Sequence, residues 1–205
     1  MIKLLFSNIN KINGFNELQS EFLNTVLKDC NNILFVPGDY DNEKNSLYKD
    51  KIINWFCNIG IGFKENHLVS LGDELKTYDV IFLMGGNPIK QIEIINKINL
   101  KNIINETKIV IGVSAGAINS SKEAIYFNDY NGKIEVYSGI GLTDINIYPH
   151  FDISNGDFVK EVKIVSKIKP LMALPNESFI KLDDEQIEIY GDCYKVENGN
   201  IVKIN

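Results

Sequence analysis

Arginine is absent from the 205-residue chain, and all 21 basic residues are lysines. An anionic substrate group must therefore be held by Lys, by backbone N–H groups, by a helix N-terminus or by neutral donors. The bidentate guanidinium fork cannot be formed. Cysteine is scarce as well. Cys30, Cys57 and Cys193 are odd in number, widely spaced and form no CxxC pair, which reads as reduced, mostly buried apolar residues and not as a disulfide or metal framework. No apolar run approaches the ~18 residues of a membrane span. With a net charge of −6 and no basic stripe, the chain lacks the footprint of a nucleic-acid binder. Residues 1–6 are too short an apolar run for a secretory h-region, so the cytoplasm is the expected location. Neither a ligand cluster nor a phosphate-loop pattern is present, and no metal or cofactor is expected. Repeats, low-complexity tracts and Pro/Gly/Ser linkers are also missing. With 44% hydrophobic residues, the expectation is one domain over residues 1–205.

What is there is an alternation of short apolar runs and longer amphipathic stretches. Strands are expected at Ile2–Phe6 and at residues 32–36, 64–69, 80–84 and 108–113. Helices are expected at residues 15–28, 44–57 and 88–104, the first from apolar positions Phe15, Leu18, Phe22, Leu23 and Val26. Asn87 and Pro88 suit the N-cap and first turn of the third helix. Such alternation implies an α/β fold, a parallel sheet with helices on both faces. The last third changes character. Short extended pieces are expected at residues 125–127, 134–136, 145–148 and 171–174, and a helix at 157–167. Antiparallel strands are expected at residues 179–182, 186–190 and 200–204, forming an edge or a small second sheet.

Gly112-Val113-Ser114-Ala115-Gly116 matches G-x-S-x-G between an apolar strand and a helix start, the context that gives the motif meaning. A nucleophile there sits on a tight turn. Small neighbours let the backbone close, and the helix start aims N–H groups at a reacting oxygen. Of the two histidines, His150 follows a short strand within Tyr148-Pro149-His150, where strand ends gather with the nucleophile. His67 opens a strand and is the poorer base. By position, Asp129, Asp144 and Asp152 are all able to be the acid that orients the imidazole. Gly85-Gly86-Asn87 ends another strand, where a backbone without Cβ atoms can present N–H groups. Gly86 and Ala115 are the candidate oxyanion donors.

These pieces together resemble the dipeptidase E family of serine peptidases, the aspartyl dipeptidases, whose wider relatives include cyanophycinase. The likeness lies in Gly-Gly-Asn at 85–87, Gly-Val-Ser-Ala-Gly-Ala at 112–117, the pair Asn128-Asp129, and Asn-Ile-Tyr-Pro-His-Phe at 146–151. The resemblance implies a flavodoxin-like three-layer sandwich related to class I glutamine amidotransferases. Its sheet is mainly parallel, with a small antiparallel C-terminal portion and Ser in place of the amidotransferase Cys. It also implies Ser114 as nucleophile, His150 as general base, Asp129 as catalytic acid, and Gly86 and Ala115 as oxyanion donors. The family's preference for an N-terminal Asp meets a chain with no Arg to hold that carboxylate. Lys122, shortly after the elbow, is one candidate for that contact. Glu177 is a candidate for a substrate amine, and Asn87 is a third substrate-binding candidate.

The leading expectation is therefore a serine peptidase acting on small peptides through an acyl-enzyme. An α/β-hydrolase esterase fits the order Ser, Asp, His, but only 36 residues separate Ser114 from His150, too few for that fold's intervening elements. A catalytically silent binding domain on an amidotransferase-like scaffold is the third reading.

Overall fold

The computed structural model describes residues 1–128, 131–183 and 186–205. In chain order the elements begin β1 (Ile2–Phe6), α1 (Glu17–Leu27), β2 (Asn32–Gly38), α2 (Asn42–Asn58), β3 (Glu65–Leu68) and β4 (Val80–Gly86). They continue with α3 (Pro88–Lys97), α4 (Lys101–Ile104), β5 (Ile109–Val113), α5 (Ala115–Asn119), β6 (Glu123–Asn128) and β7 (Lys133–Ser138). The last part holds β8 (Ile147–Tyr148), α6 (Gly156–Val165), β9 (Leu171–Ala173), β10 (Phe179–Asp183), β11 (Gln186–Tyr190), β12 (Tyr194–Glu197) and β13 (Asn200–Lys203).

The main sheet has the order β11-β10-β1-β5-β4-β2-β3. Strands β1, β5, β4, β2 and β3 run parallel; β10 and β11 add antiparallel at one edge. Period-two patterning of the strands divides the core. Ile33, Phe35, Phe82 and Ile111 face α1 and α2, meeting Leu23, Ile52 and Phe56. Leu34, Ile81, Leu83 and Val110 face the other way, meeting Ile92 and Ile95 of α3 and Ile104 of α4. Both strand faces are buried, so the strands read as continuous apolar runs. The expected three-layer α/β arrangement with a small antiparallel portion is what the chain adopts.

The C-terminal strands divide between two sheets. β10 is fastened to β1 partly by aromatic stacking, with Phe179 between Phe6 and Tyr190 at 4.5 Å from each. β9, β12 and β13 join β8 in a second sheet of order β13-β12-β9-β8. Leu5 and Ile180 share a buried cluster with Ile147 and Leu174, which joins the two sheets.

Two expectations need correction. The helix expected over residues 88–104 is two helices, because Asn99 takes φ 52° and interrupts it. Asn tolerates that left-handed conformation better than most residues. Strand β12 was not expected; its four residues alternate cleanly, with Tyr194 and Val196 buried and Lys195 and Glu197 exposed. The cysteines are free and mostly buried, as expected: Cys30 and Cys193 are buried, burial pushing both thiols up to about 11, and Cys57 is exposed. Among the described residues, no helix is long and apolar enough to cross a membrane.

Helix α5 lies hard against β4. A Cβ built on Gly116 would fall 2.3 Å from the Leu83 carbonyl oxygen, and one on Gly112 would fall 2.7 Å from the Gly116 oxygen. Gly116→Ala should therefore cost about 2 kcal/mol or more of folding stability. Gly62→Ala, where an added Cβ meets nothing within 4 Å, should stay within about 0.5 kcal/mol of wild type. Urea unfolding of the two variants beside wild type checks the contrast.

Candidate active site

The carboxyl ends of the parallel strands gather the chemistry at one edge, where open α/β sheets bind ligands. Ser114 follows β5 directly. Its backbone takes φ 51° and ψ −105°, a conformation costing about 1–3 kcal/mol for a residue with a side chain. The turn is held by Ser114 N–H donating to the Phe6 carbonyl at 3.0 Å and by Ile118 N–H donating to the Ser114 carbonyl at 3.1 Å. The close approach of Gly112 and Gly116 is the physical content of the two glycines in the motif.

His150 also carries a positive φ, 61°. Its backbone N–H donates to Ser7 Oγ at 2.8 Å, and that hydroxyl donates to the Leu174 carbonyl at 2.9 Å. Ser7 is fully buried and stands one residue beyond β1, so a single hydroxyl ties the main sheet to the two segments that carry His150 and residues 174–178. The result is a Ser114 Oγ to His150 Nε2 distance of 2.9 Å. On the other side of the ring, His150 Nδ1 lies 3.1 Å from Asn176 Oδ1. An acceptor at Nδ1 favours the tautomer that leaves Nε2 free to take a proton from the serine.

Asp129, assigned by the resemblance as the acid, lies outside the described residues. Of the other positional candidates, Asp144 lines a recess with Lys3 at the opposite end of β1, and the exposed Asp152 accepts from both the N–H and the hydroxyl of Ser154. His67 pairs with Asp73 at 2.8 Å on edge strand β3. None of these three is brought to the serine. Asn176 was missed by sequence reasoning, although it sits in the same Pro-Asn-Glu-Ser stretch that singled out Glu177.

The oxyanion candidates occupy suitable ground. Ala115 N–H opens α5, where no intrahelical carbonyl can accept it. Gly86 has φ 150°, and a Cβ there would fall 2.8 Å from the Gly38 Cα, so only glycine fits. Behind both runs a buried polar chain. Gln91 Nε2 donates to the Met84 carbonyl at 2.6 Å, Asn119 Nδ2 donates to the Pro88 carbonyl at 2.9 Å and to Gln91 Oε1 at 3.1 Å, and Tyr137 donates to Asn119 Oδ1 at 2.8 Å. Burial pushes the Tyr137 phenol well up, keeping it a donor.

Each of the three substrate-binding candidates has a place of its own, Asn87 at the N-cap expected of it. Asn87 caps α3, its side chain accepting from Lys90 N–H at 3.0 Å. Lys122 lies past the far end of α5, its N–H donating to the Thr143 carbonyl, and lines neither cleft described below. The Glu177 carboxylate accepts from Asn10 Nδ2 at 3.2 Å and Asn16 Nδ2 at 3.3 Å, and Asn8 Oδ1 accepts its backbone N–H at 2.6 Å. Glu177 thus braces the β1–α1 loop against the turn that carries Asn176.

Two clefts meet at Ser114 and His150. The larger, about 500 Å³, is walled by the β1–α1 loop and α2 and holds Lys11, Asp39, Lys44, Tyr48 and Lys51. Burial alone would raise Asp39, but Lys44 at 2.8 Å, the Asp41 N–H and Asn45 outweigh it and hold the carboxyl below its usual value. Burial raises the Tyr48 phenol. The smaller cleft, about 330 Å³, lies on the side of β6, β8 and α6 and is mostly apolar.

Comparison with known proteins bears on family and fold. The sequence model of peptidase family S51 matches residues 3–190. A peptidase from an acI-B1 Actinobacterium superposes with a TM-score of 0.70 at 14% identity, covering 100% of this chain and 93% of that one. A protein assigned to peptidase E from Listeria monocytogenes EGD-e superposes with a TM-score of 0.68 at 16% identity, covering 92% of this chain and 97% of its own. At those identities the likeness is one of fold. No curated protein matches the chain significantly.

Ser7→Ala would leave the His150 N–H and the Leu174 carbonyl without their shared partner. It should cost about 1–3 kcal/mol of stability, the penalty for buried groups left unsatisfied. Chemical denaturation measures that loss, and Ser7→Thr, which keeps the hydroxyl, should recover part of it.

Proposed function

The chain belongs to peptidase family S51, and from that premise we propose that it is a serine peptidase acting on short peptides, with Ser114 as nucleophile and His150 as general base. The observation that carries the reading is the 2.9 Å approach of Ser114 Oγ to His150 Nε2 on a strained strand-to-helix turn at the meeting of two clefts. A silent binding domain has no need of that strain.

His150 takes the hydroxyl proton as Ser114 Oγ attacks the scissile carbonyl. The N–H groups of Gly86 and Ala115 receive the developing oxyanion. The imidazolium then protonates the leaving amine, the acyl–Oγ ester forms, and a water deprotonated by the same imidazole releases the acid and restores the serine. Asn176 holds the ring through Nδ1, as a neutral orienting group does in Cys-His-Asn peptidases. Asp129 is the alternative orienting group, carried from the family resemblance.

Single-residue kinetics on a panel of dipeptides test this. Ser114→Ala should abolish hydrolysis. Asn176→Ala should lower kcat about 10- to 100-fold with little change in KM if Asn176 is the orienting group. Asn176→Asp should retain activity and move the acid limb of the pH profile to higher pH, because an adjacent carboxylate favours the charged imidazole. If Asp129→Ala is inactive while Asn176→Ala is unaffected, the acid belongs at 129. Equal activity of Ser114→Ala and wild type contradicts the whole reading.

A further inference from the structure

Ser114, His150 and Gly86 line both clefts, so a bound scissile bond sits on a ridge between two chambers of opposite character. Among the described residues of the larger chamber, three lysines (11, 44 and 51) stand against one carboxylate, Asp39, for a net charge of +2. Asp39 is already engaged by Lys44 at 2.8 Å, and Lys51 donates to the Lys11 carbonyl. The Lys11 ammonium has no partner among the described residues.

The smaller chamber differs in kind. Ile118, Ile125, Phe127, Ile147 and Phe158 are among its apolar lining residues, and none of its described lining residues is a lysine. Among its described lining residues the one carboxylate is Glu161, which accepts a hydrogen bond from the Tyr148 hydroxyl.

We propose that the site takes a short peptide in one orientation. The apolar or aromatic side chain of the N-terminal residue enters the smaller chamber with its ammonium facing Glu161, and the terminal carboxylate lies in the larger chamber facing Lys11. The assignment rests on the peptidase reading above and goes beyond it by naming the substrate class. An N-terminal Asp is disfavoured, because its side-chain carboxylate would lose water against apolar wall residues and face the Glu161 carboxylate. A dipeptide zwitterion, by contrast, matches the charge at both ends. The chain answers its lack of arginine by presenting lysines to the leaving half of the substrate.

Titration calorimetry of Ser114→Ala with Phe-Ala and Asp-Ala reads the preference without the chemistry. Phe-Ala should bind about tenfold or more tighter than Asp-Ala, the discrimination an apolar pocket can supply. Amidating the C-terminus of Phe-Ala should weaken it about fivefold, a modest effect because the lysines are exposed and screened. Lys11→Glu should weaken the free acid by a similar factor or more and spare the amide. Acetylating the N-terminus should weaken binding to Ser114→Ala, and the additional Glu161→Gln change should shrink that difference.

Equal or tighter binding of Asp-Ala, or amidation without effect, overturns the assignment. Hydrolysis by wild type separates the two readings. Binding preference for Phe-Ala with neither dipeptide cleaved leaves the chambers assigned and removes the peptidase. Ser114-dependent cleavage with Asp-Ala preferred keeps the peptidase and removes the assignment.

Discussion

The backbone of Ser114, bent to φ 51° and ψ −105° between β5 and α5, is the constraint on which the site depends. Strain of about 1–3 kcal/mol persists only where the surroundings over-determine it. Here they do so from three directions. The Phe6 carbonyl fixes the Ser114 N–H, Gly116 lets α5 press on Leu83, and Gly112 leaves room for the returning helix. Replacing either glycine would move the hydroxyl by pushing backbone against backbone. A displacement of about an ångström is enough to spoil a catalytic hydrogen bond.

His150 is held with comparable economy. Ser7 reaches its backbone, Asn176 reaches its ring, and Glu177, the next residue along from Asn176, braces the loop that walls the lysine-bearing cleft. One turn after β9 therefore couples the orientation of the base to the shape of a substrate chamber. The buried chain Gln91–Asn119–Tyr137 does the equivalent for the oxyanion side, fixing the end of β4 against α5. Such networks are rigid when every member is satisfied. The proposed nucleophile, base and oxyanion donors are thus supported by different elements that converge at one sheet edge.

How much of this was legible depended on whether a function sits in contiguous residues. The elbow at 112–116 could be read because the turn needs its small residues in sequence. His150 could be read because the chain has only two histidines, one of them at a strand start. The parallel core could be read because strands buried on both faces form continuous apolar runs. Asn176 was hidden because its role exists only once β8 and β9 pair and bring Leu174 beside His150. Ser7 was hidden because a serine after a strand has no local signature. Lys122 was one candidate by closeness in sequence, yet Lys11, Lys44 and Lys51, far earlier in the chain, are the described lysines that line the larger cleft. The break at Asn99 escaped notice because Ile98, Leu100, Ile103 and Ile104 keep an apolar pattern across it.

The proposed mechanism requires that His150 activate Ser114 for covalent chemistry. The most direct measurement is the rate and position of labelling by a serine-directed phosphonate, read by mass spectrometry of the digested protein. A single adduct on Ser114 is expected, with a rate that collapses in His150→Ala although the variant remains folded. Absence of an adduct on Ser114, or an undiminished rate in His150→Ala, would contradict it.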